Sequence, residues 1–404
     1  MLKRHHRLLP PHPVWMCGMR PFFLLTLCTA LALIVFWSAV LSGAGMSPAV
    51  PGGPLVWHAH ELVFGFAMAA VAGFSLTALP EFSGTAAPGR RQVQGLVALW
   101  LVGRAGFWAS GALSPALWVA ALAQTVLPLA LLAVLLPALR SPQGRAHQAF
   151  GWALVALAAA SAGFYTDALQ GQPGLRWLHT ALGVLMLLIV VAASRISMRV
   201  VNRAIAQVTP DAPPYMARPP KRHLAALCIT LYTTAQHVQP GSGLAGWLGL
   251  AAAAAVFHLM GDWHVGSALW KRRFPLLLYA MYGCMACGYG LLGAAHLAWV
   301  PGSSAGWHLL GMGCMGMGVY VVIAIAGRAH VGQAPDPGPW IPLGGALLLL
   351  GVAARVVAAW QPARPMLAAA SICWCLAFGL LCWRIAPALW QARADGQEGC
   401  QGPG

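Results

Sequence analysis

Residues Phe22–Leu41 read FFLLTLCTALALIVFWSAVL, twenty consecutive positions without a charged side chain. A helix rises 1.5 Å per residue, so about 20 apolar residues cross the ~30 Å hydrocarbon core of a bilayer. Lys3, Arg4 and Arg7 precede this run, as they would in a signal peptide. An h-region is usually only about 7–15 residues long. The longer run is therefore read as a retained first membrane helix. The rest of the chain repeats the pattern. Of its 404 residues, 59% are hydrophobic and 8% charged, against roughly 25% charged in a soluble domain.

Apolar runs fall near 21–41, 57–79, 92–110, 114–138, 147–164, 177–198, 223–239, 243–260, 274–293, 305–326, 341–360 and 366–386. Lipid offers the backbone no hydrogen-bond partner, so the spans must be helices. The expected fold is an all-α polytopic bundle of about twelve transmembrane helices. Pro128 and Pro137 would kink the fourth span.

The loops carry the orientation signal. Arg90 and Arg91, Arg140 and Arg145, Arg203, Arg218, Lys221 and Arg222, then Lys271, Arg272 and Arg273, occupy every second connector. Arg328 follows the tenth span, and Arg384 and Arg393 the last. Segments 42–56, 240–242 and 294–304 have no charge. The positive-inside rule then places both termini in the cytoplasm.

The same distribution accounts for the formal charge of +16, from 24 Lys and Arg against 8 Asp and Glu. No basic patch is interleaved with aromatics, so the partner expected is the lipid bilayer and not nucleic acid. The ten cysteines lie mostly in apolar runs, which argues against a secreted disulfide framework. The whole chain, 1–404, reads as one integral membrane domain. The Pro-rich basic loop 201–222, with Pro210, Pro213, Pro214, Pro219 and Pro220, divides it by position into halves 1–200 and 223–390. No internal repeat supports that division.

On this topology six of the 14 histidines gather toward the outer face: His58, His60, His179, His237, His296 and His308. His5, His6 and His12 lie in the tail, and His147, His223, His258, His264 and His330 toward the cytoplasm. Imidazole is a common ligand of haem iron and copper. A lone interfacial histidine equally serves as a headgroup contact. Trp57-His58-Ala59-His60-Glu61 is different, because three ionisable groups at the mouth of an apolar helix are costly to bury. On an ideal helix His58 and His60 point roughly 200° apart, so they serve different sites or the segment is not yet helical. His308, Met312 and Met315 share one stripe of the tenth span, as His179, Gly183 and Met186 do in the sixth.

Arg104 and Arg355 lie inside the third and eleventh spans. Arg104 falls near the depth of Glu61. It either forms an ion pair that braces the bundle or, like Arg355, binds a haem propionate. Asp262, near Lys271 and Arg272, reads as a structural pair. Met281, Cys284, Met285 and Cys287 in the ninth span, with Met312, Cys314, Met315 and Met317 in the tenth, offer soft ligands for Cu(I). The interleaved glycines equally suit close packing.

Several longer motifs add to this. Gly18-Met19-Arg20-Pro21-Phe22-Phe23-Leu24 resembles the opening of the NnrS family. Trp57-His58-Ala59-His60-Glu61, with Phe64-Gly65-Phe66, Ala72-Gly73-Phe74, Leu76-Thr77-Ala78 and Pro80, resembles the family's second helix. Leu99-Trp100-Leu101 and Gly103-Arg104 resemble its third. Later matches are looser: Ser194-Arg195, His308 and His330-Val331-Gly332 stand where the family has related elements, and Met281 replaces a histidine.

The resemblance implies a bacterial twelve-helix protein containing haem and copper, tied to nitric oxide metabolism and resistance to nitrosative stress. His58, His60, His308 and His179 are then the expected metal ligands, with Met312 and Met281 as soft donors. Arg104, Arg355 and Glu61 are the expected cofactor-binding groups, and nitric oxide or a related small molecule is the expected ligand. Two other functions fit the residues: a secondary transporter of a metal or metal–nitrosyl species, and a non-enzymatic membrane sensor or accessory subunit.

Overall fold

The computed structural model describes residues 12–45, 47–206, 214–264, 269–270, 272–334, 336, 338–361, 363–397 and 399. Lys3, Arg4, Arg7, His5, His6, Pro210, Pro213 and Lys271 lie outside the described residues. The Asp262 carboxylate pairs with Lys221 Nζ at 2.8 Å and accepts from the Arg218 backbone N–H at 3.0 Å.

Among the described residues there are twelve long helices. These are α1 (Met19–Ser42), α2 (Gly53–Ser83), α3 (Arg90–Ala109), α4 (Ser114–Arg140), α5 (Gln148–Leu169) and α6 (Leu175–Ala206). They continue with α7 (Pro219–Val238), α8 (Gly243–Met260), α9 (Arg273–His296), α10 (Ser304–Ala329), α11 (Trp340–Trp360) and α12 (Arg364–Trp390). Ten are long and apolar enough to cross a membrane; α3 and α7 are the two that fall short. α3 carries Arg90, Arg91 and Arg104, and α7 carries Lys221 and Arg222, which lowers their hydropathy. α4 stays helical through Pro128 and Pro137.

Local chemistry sets the helix ends. α1 stops at Gly43, whose φ of 79° lets its N–H turn back to Ala39 and Val40 carbonyls. α2 stops at Gly84 in the same left-handed region. Pro54, Pro115, Pro219 and Pro365 sit in first turns, where a missing N–H costs nothing.

Consecutive helices pack side by side, and α1 closes against α12. The α1–α12 contact is fixed by hydrogen bonds: Trp374 Nε1 donates to the Ala30 carbonyl at 2.8 Å. Arg20 Nη1 donates to the carbonyls of Leu389 (3.3 Å) and Gln391 (2.5 Å) at the end of α12. A cation there also opposes the negative end of the helix dipole. α2 is the most enclosed of the ten apolar helices, with 78% of its apolar window buried. α1, α4 and α6 pack beside it. Large apolar side chains such as Leu122, Trp152 and Trp383 lie exposed on the outside, as a lipid-facing surface requires.

Two turns depart from α geometry. Glu61–Ala67 in α2 and Leu309–Gly316 in α10 are π-helical. Each follows directly on a histidine, His60 and His308. Such turns are rare and cluster at functional sites.

Candidate functional site

The helix geometry separates His58 from His60. Both are helical, so their side chains leave α2 in different directions and meet different neighbours.

His60 enters a fully buried polar network. Its Nδ1 lies 3.1 Å from Glu61 Oε1 and its Nε2 3.0 Å from the Tyr165 hydroxyl of α5. Arg104 Nη1 donates to the same Glu61 oxygen at 2.6 Å. The Gln124 amide, with its oxygen turned to the guanidinium, accepts from Arg104 as well. Phe107 stacks on the imidazole, ring centroids 3.6 Å apart. Trp100 of α3 donates its indole N–H to the Gly65 carbonyl in the π turn at 3.1 Å. Both ring nitrogens of His60 are thus engaged by side chains. Arg104 faces Glu61 and Gln124.

His58 points into a cavity of about 350 Å³ at the charge-poor end of the bundle. The ends of α1, α2, α6, α10, α11 and α12 line it. His308, His179, Arg355 and Met312 reach the same space, so four further predicted residues converge with His58. The His58 and His308 rings stand 6.5 Å apart, centroid to centroid, with planes 20° from parallel. Trp37 stacks on His58 at 4.4 Å, and Trp307 on His179 at 3.9 Å. His308 Nδ1 lies 2.8 Å from the Ser304 carbonyl and must donate to it, which leaves Nε2 as the acceptor. Arg355 Nη2 donates to Ser304 Oγ at 2.9 Å. His58 Nδ1 is buried with no hydrogen-bond partner.

A family model described as NnrS protein matches residues 13–393, nearly the whole chain. This protein belongs to the NnrS family. No curated protein matches the chain. The NnrS match spans both the His60 network and the His58–His308 cavity, and family membership points to a nitric-oxide-related membrane protein.

The remaining predicted residues of this NnrS chain lie elsewhere. Met281 lines a separate apolar cavity. His237 Nδ1 meets Thr180 Oγ1 at 2.9 Å, and His296 Nε2 lies 3.3 Å from the Tyr232 hydroxyl. Among the described residues, no three His, Cys, Asp or Glu side chains form a metal-holding group. Sequence reasoning missed Tyr165, Trp37, Trp307 and Ser304. Trp307 had a partial signal, because Trp-His occurs at 57–58, 263–264 and 307–308 and only the first and last lie toward the charge-poor end. Ser304 lies four residues before His308 on the same helix face. Trp37 and Tyr165 come from other helices and leave no local trace.

Proposed function

We propose that the His58–His308 cavity holds the metal cofactor of a nitric-oxide-responsive bacterial inner-membrane protein. The observation that carries this reading is the pair of nearly parallel imidazoles. A metal–imidazole bond is about 2 Å, and the ring centroid sits roughly 1.2 Å behind the nitrogen. Two imidazoles that share one ion would therefore stand up to about 6.4 Å apart. The observed 6.5 Å suits that arrangement. The partnerless Nδ1 of His58 is a buried lone pair or N–H without a role in the protein alone.

The residues fit haem. His58 and His308 would hold such an iron through ring nitrogens, one of them giving way to an incoming ligand. Arg355 is placed for a carboxylate, which a propionate provides. Trp37 and Trp307 form flat apolar walls that exclude water. The Ser304 carbonyl holds the His308 tautomer, as partners behind metal-binding histidines do. Met312 in the same cavity favours a second reading, in which copper binds there through the histidines and a thioether. Iron or copper, when bound, would supply a redox centre open to nitric oxide.

The His60–Glu61–Arg104–Tyr165 network holds α2, α3 and α5 in register, and so aims His58. In this reading α3 and α7 also cross the membrane, since each is 20 residues long and packs between neighbours that are long enough. The count is then twelve, with both termini cytoplasmic. The chain acts as one domain whose halves, 1–200 and 223–390, each give the cavity one of the paired histidines.

The test is the visible spectrum and metal content of the purified, detergent-solubilised protein. A Soret band or copper is expected in the wild type, lost in His58→Ala and His308→Ala but retained in His60→Gln. A wild type without iron or copper overturns the proposal.

A further inference from the structure

Farther along α10, between α2, α6, α9 and α10, lies a second cavity of about 100 Å³, open in part to the outside of the bundle. We propose that it is a binding site for small uncharged gas molecules, and that Met315 forms the partition between it and the histidine cavity. Met315 lines both spaces. The link to a metal rests on the reading above; the second cavity itself does not.

Size and lining narrow the occupant. A water's share of liquid volume is ~30 Å³, and an apolar cavity of ~150 Å³ takes up benzene or xenon. A space of about 100 Å³ therefore admits a xenon atom or a diatomic gas and is too small for a flat cofactor. Its walls are Phe, Leu, Ile, Val, Ala and Met side chains, with Gly318 and one polar exception, Ser75. A buried water needs two to four polar partners, so water gains little here. Ser75 is 1% exposed and its hydroxyl has no hydrogen-bond partner. An O–H donor left free in an apolar chamber suits a weak acceptor such as nitric oxide or carbon monoxide. The thioethers of Met281 and Met315 add a polarizable wall, which strengthens contact with a non-polar gas.

The geometry adds a path. The two spaces follow one another along α10, from His308 past Met312 to Met315 and on to Val319 and Ile323. Methionine has three rotatable bonds, so Met315 can swing aside without moving a helix. A neutral gas dissolved in lipid then has a waiting place next to the imidazoles, while ions and water are refused.

The probe is xenon, applied to the full-length protein as pressurised crystals. One xenon is expected beside Met281 and Met315. Ala193→Phe and Val71→Phe, each filling the chamber from a different helix, are expected to lower its occupancy roughly tenfold by removing the space and contacts. A wild type without xenon there, or with an acyl chain in its place, overturns the proposal whether or not metal is bound. In metal-loaded protein, carbon monoxide is flashed off and its return followed. Both variants are expected to raise the fraction that rebinds at once, because escape into the chamber is closed. An unchanged prompt fraction refutes the connection through Met315. A protein without metal but with xenon in place refutes the proposed function and leaves the chamber standing.

Discussion

Glu61 and Arg104 face each other where lipid and protein exclude water, so neither charge is tolerable alone. Removing one partner of such a buried pair costs about 3–5 kcal/mol, because the other is left uncompensated. Arg104→Leu is expected to lower the thermal midpoint of the detergent-solubilised protein more than Glu61→Gln does. The side-chain amide that Glu61→Gln introduces can still accept from Arg104. Tyr165→Phe removes only the hydroxyl that His60 Nε2 meets, and is expected to cost about 1–3 kcal/mol for the nitrogen left bare. Equal midpoints in all three variants would show that the network does not brace α2. These residues were half legible. Equal depth on adjacent expected spans made a Glu61–Arg104 pair one of two readings, and the two side chains do meet. Tyr165 did not, because which aromatic of α5 reaches His60 depends on how two helices cross.

At the scale of elements, close helix contacts depend on single missing side chains. A Cβ on Gly293 of α9 would stand 2.7 Å from the Gly246 carbonyl and 2.8 Å from the Leu250 nitrogen of α8, both backbone atoms. Gly293→Val is therefore expected to part α8 from α9 and to destabilise the protein by about 1–3 kcal/mol, the range for overpacked interiors. A thermal midpoint equal to the wild type's would contradict this contact. The spans were readable because lipid imposes one length and one composition. Their ends fell within about two turns of the expected ones, since capping glycines and prolines act locally. The π turns in α2 and α10 were not readable. Their residues keep an apolar pattern, and one extra residue per turn is settled by packing, not by hydropathy.

Across the whole molecule, ties at the charge-rich end hold the helices in place. Asp336, in the loop between α10 and α11, accepts from Gly338 N–H at 2.8 Å and the Trp340 indole at 2.9 Å. Arg328 of α10 and Arg384 of α12 lie 3.6 and 3.4 Å from it. The Gly338 N–H first, then the indole and the two guanidiniums, hold this carboxyl below its ordinary value of 3.8. A lowered carboxylate pKa gives stability that is present above the ordinary value and lost as pH falls through the lowered one. The wild type is expected to lose stability below about pH 4 more steeply than Asp336→Asn. Parallel acid-unfolding curves would remove Asp336 from that role. Topology is a second test at this scale. Reporters fused after Arg393 and within 201–222 are expected to report the cytoplasm, and one at 297–303 the opposite side. The same assignment for all three sites would contradict twelve crossings.

The two π turns make the aim of each imidazole a matter of counting. An α-helix advances about 100° per residue, so deleting one residue from 61–67 would turn every side chain before it by that angle relative to those after. His58 would then leave its chamber while the part of α2 beyond the deletion kept its partners. A one-residue deletion in 309–316 would do the same to His308. Length polymorphism that a loop would absorb is, at these two places, a change in where an imidazole points.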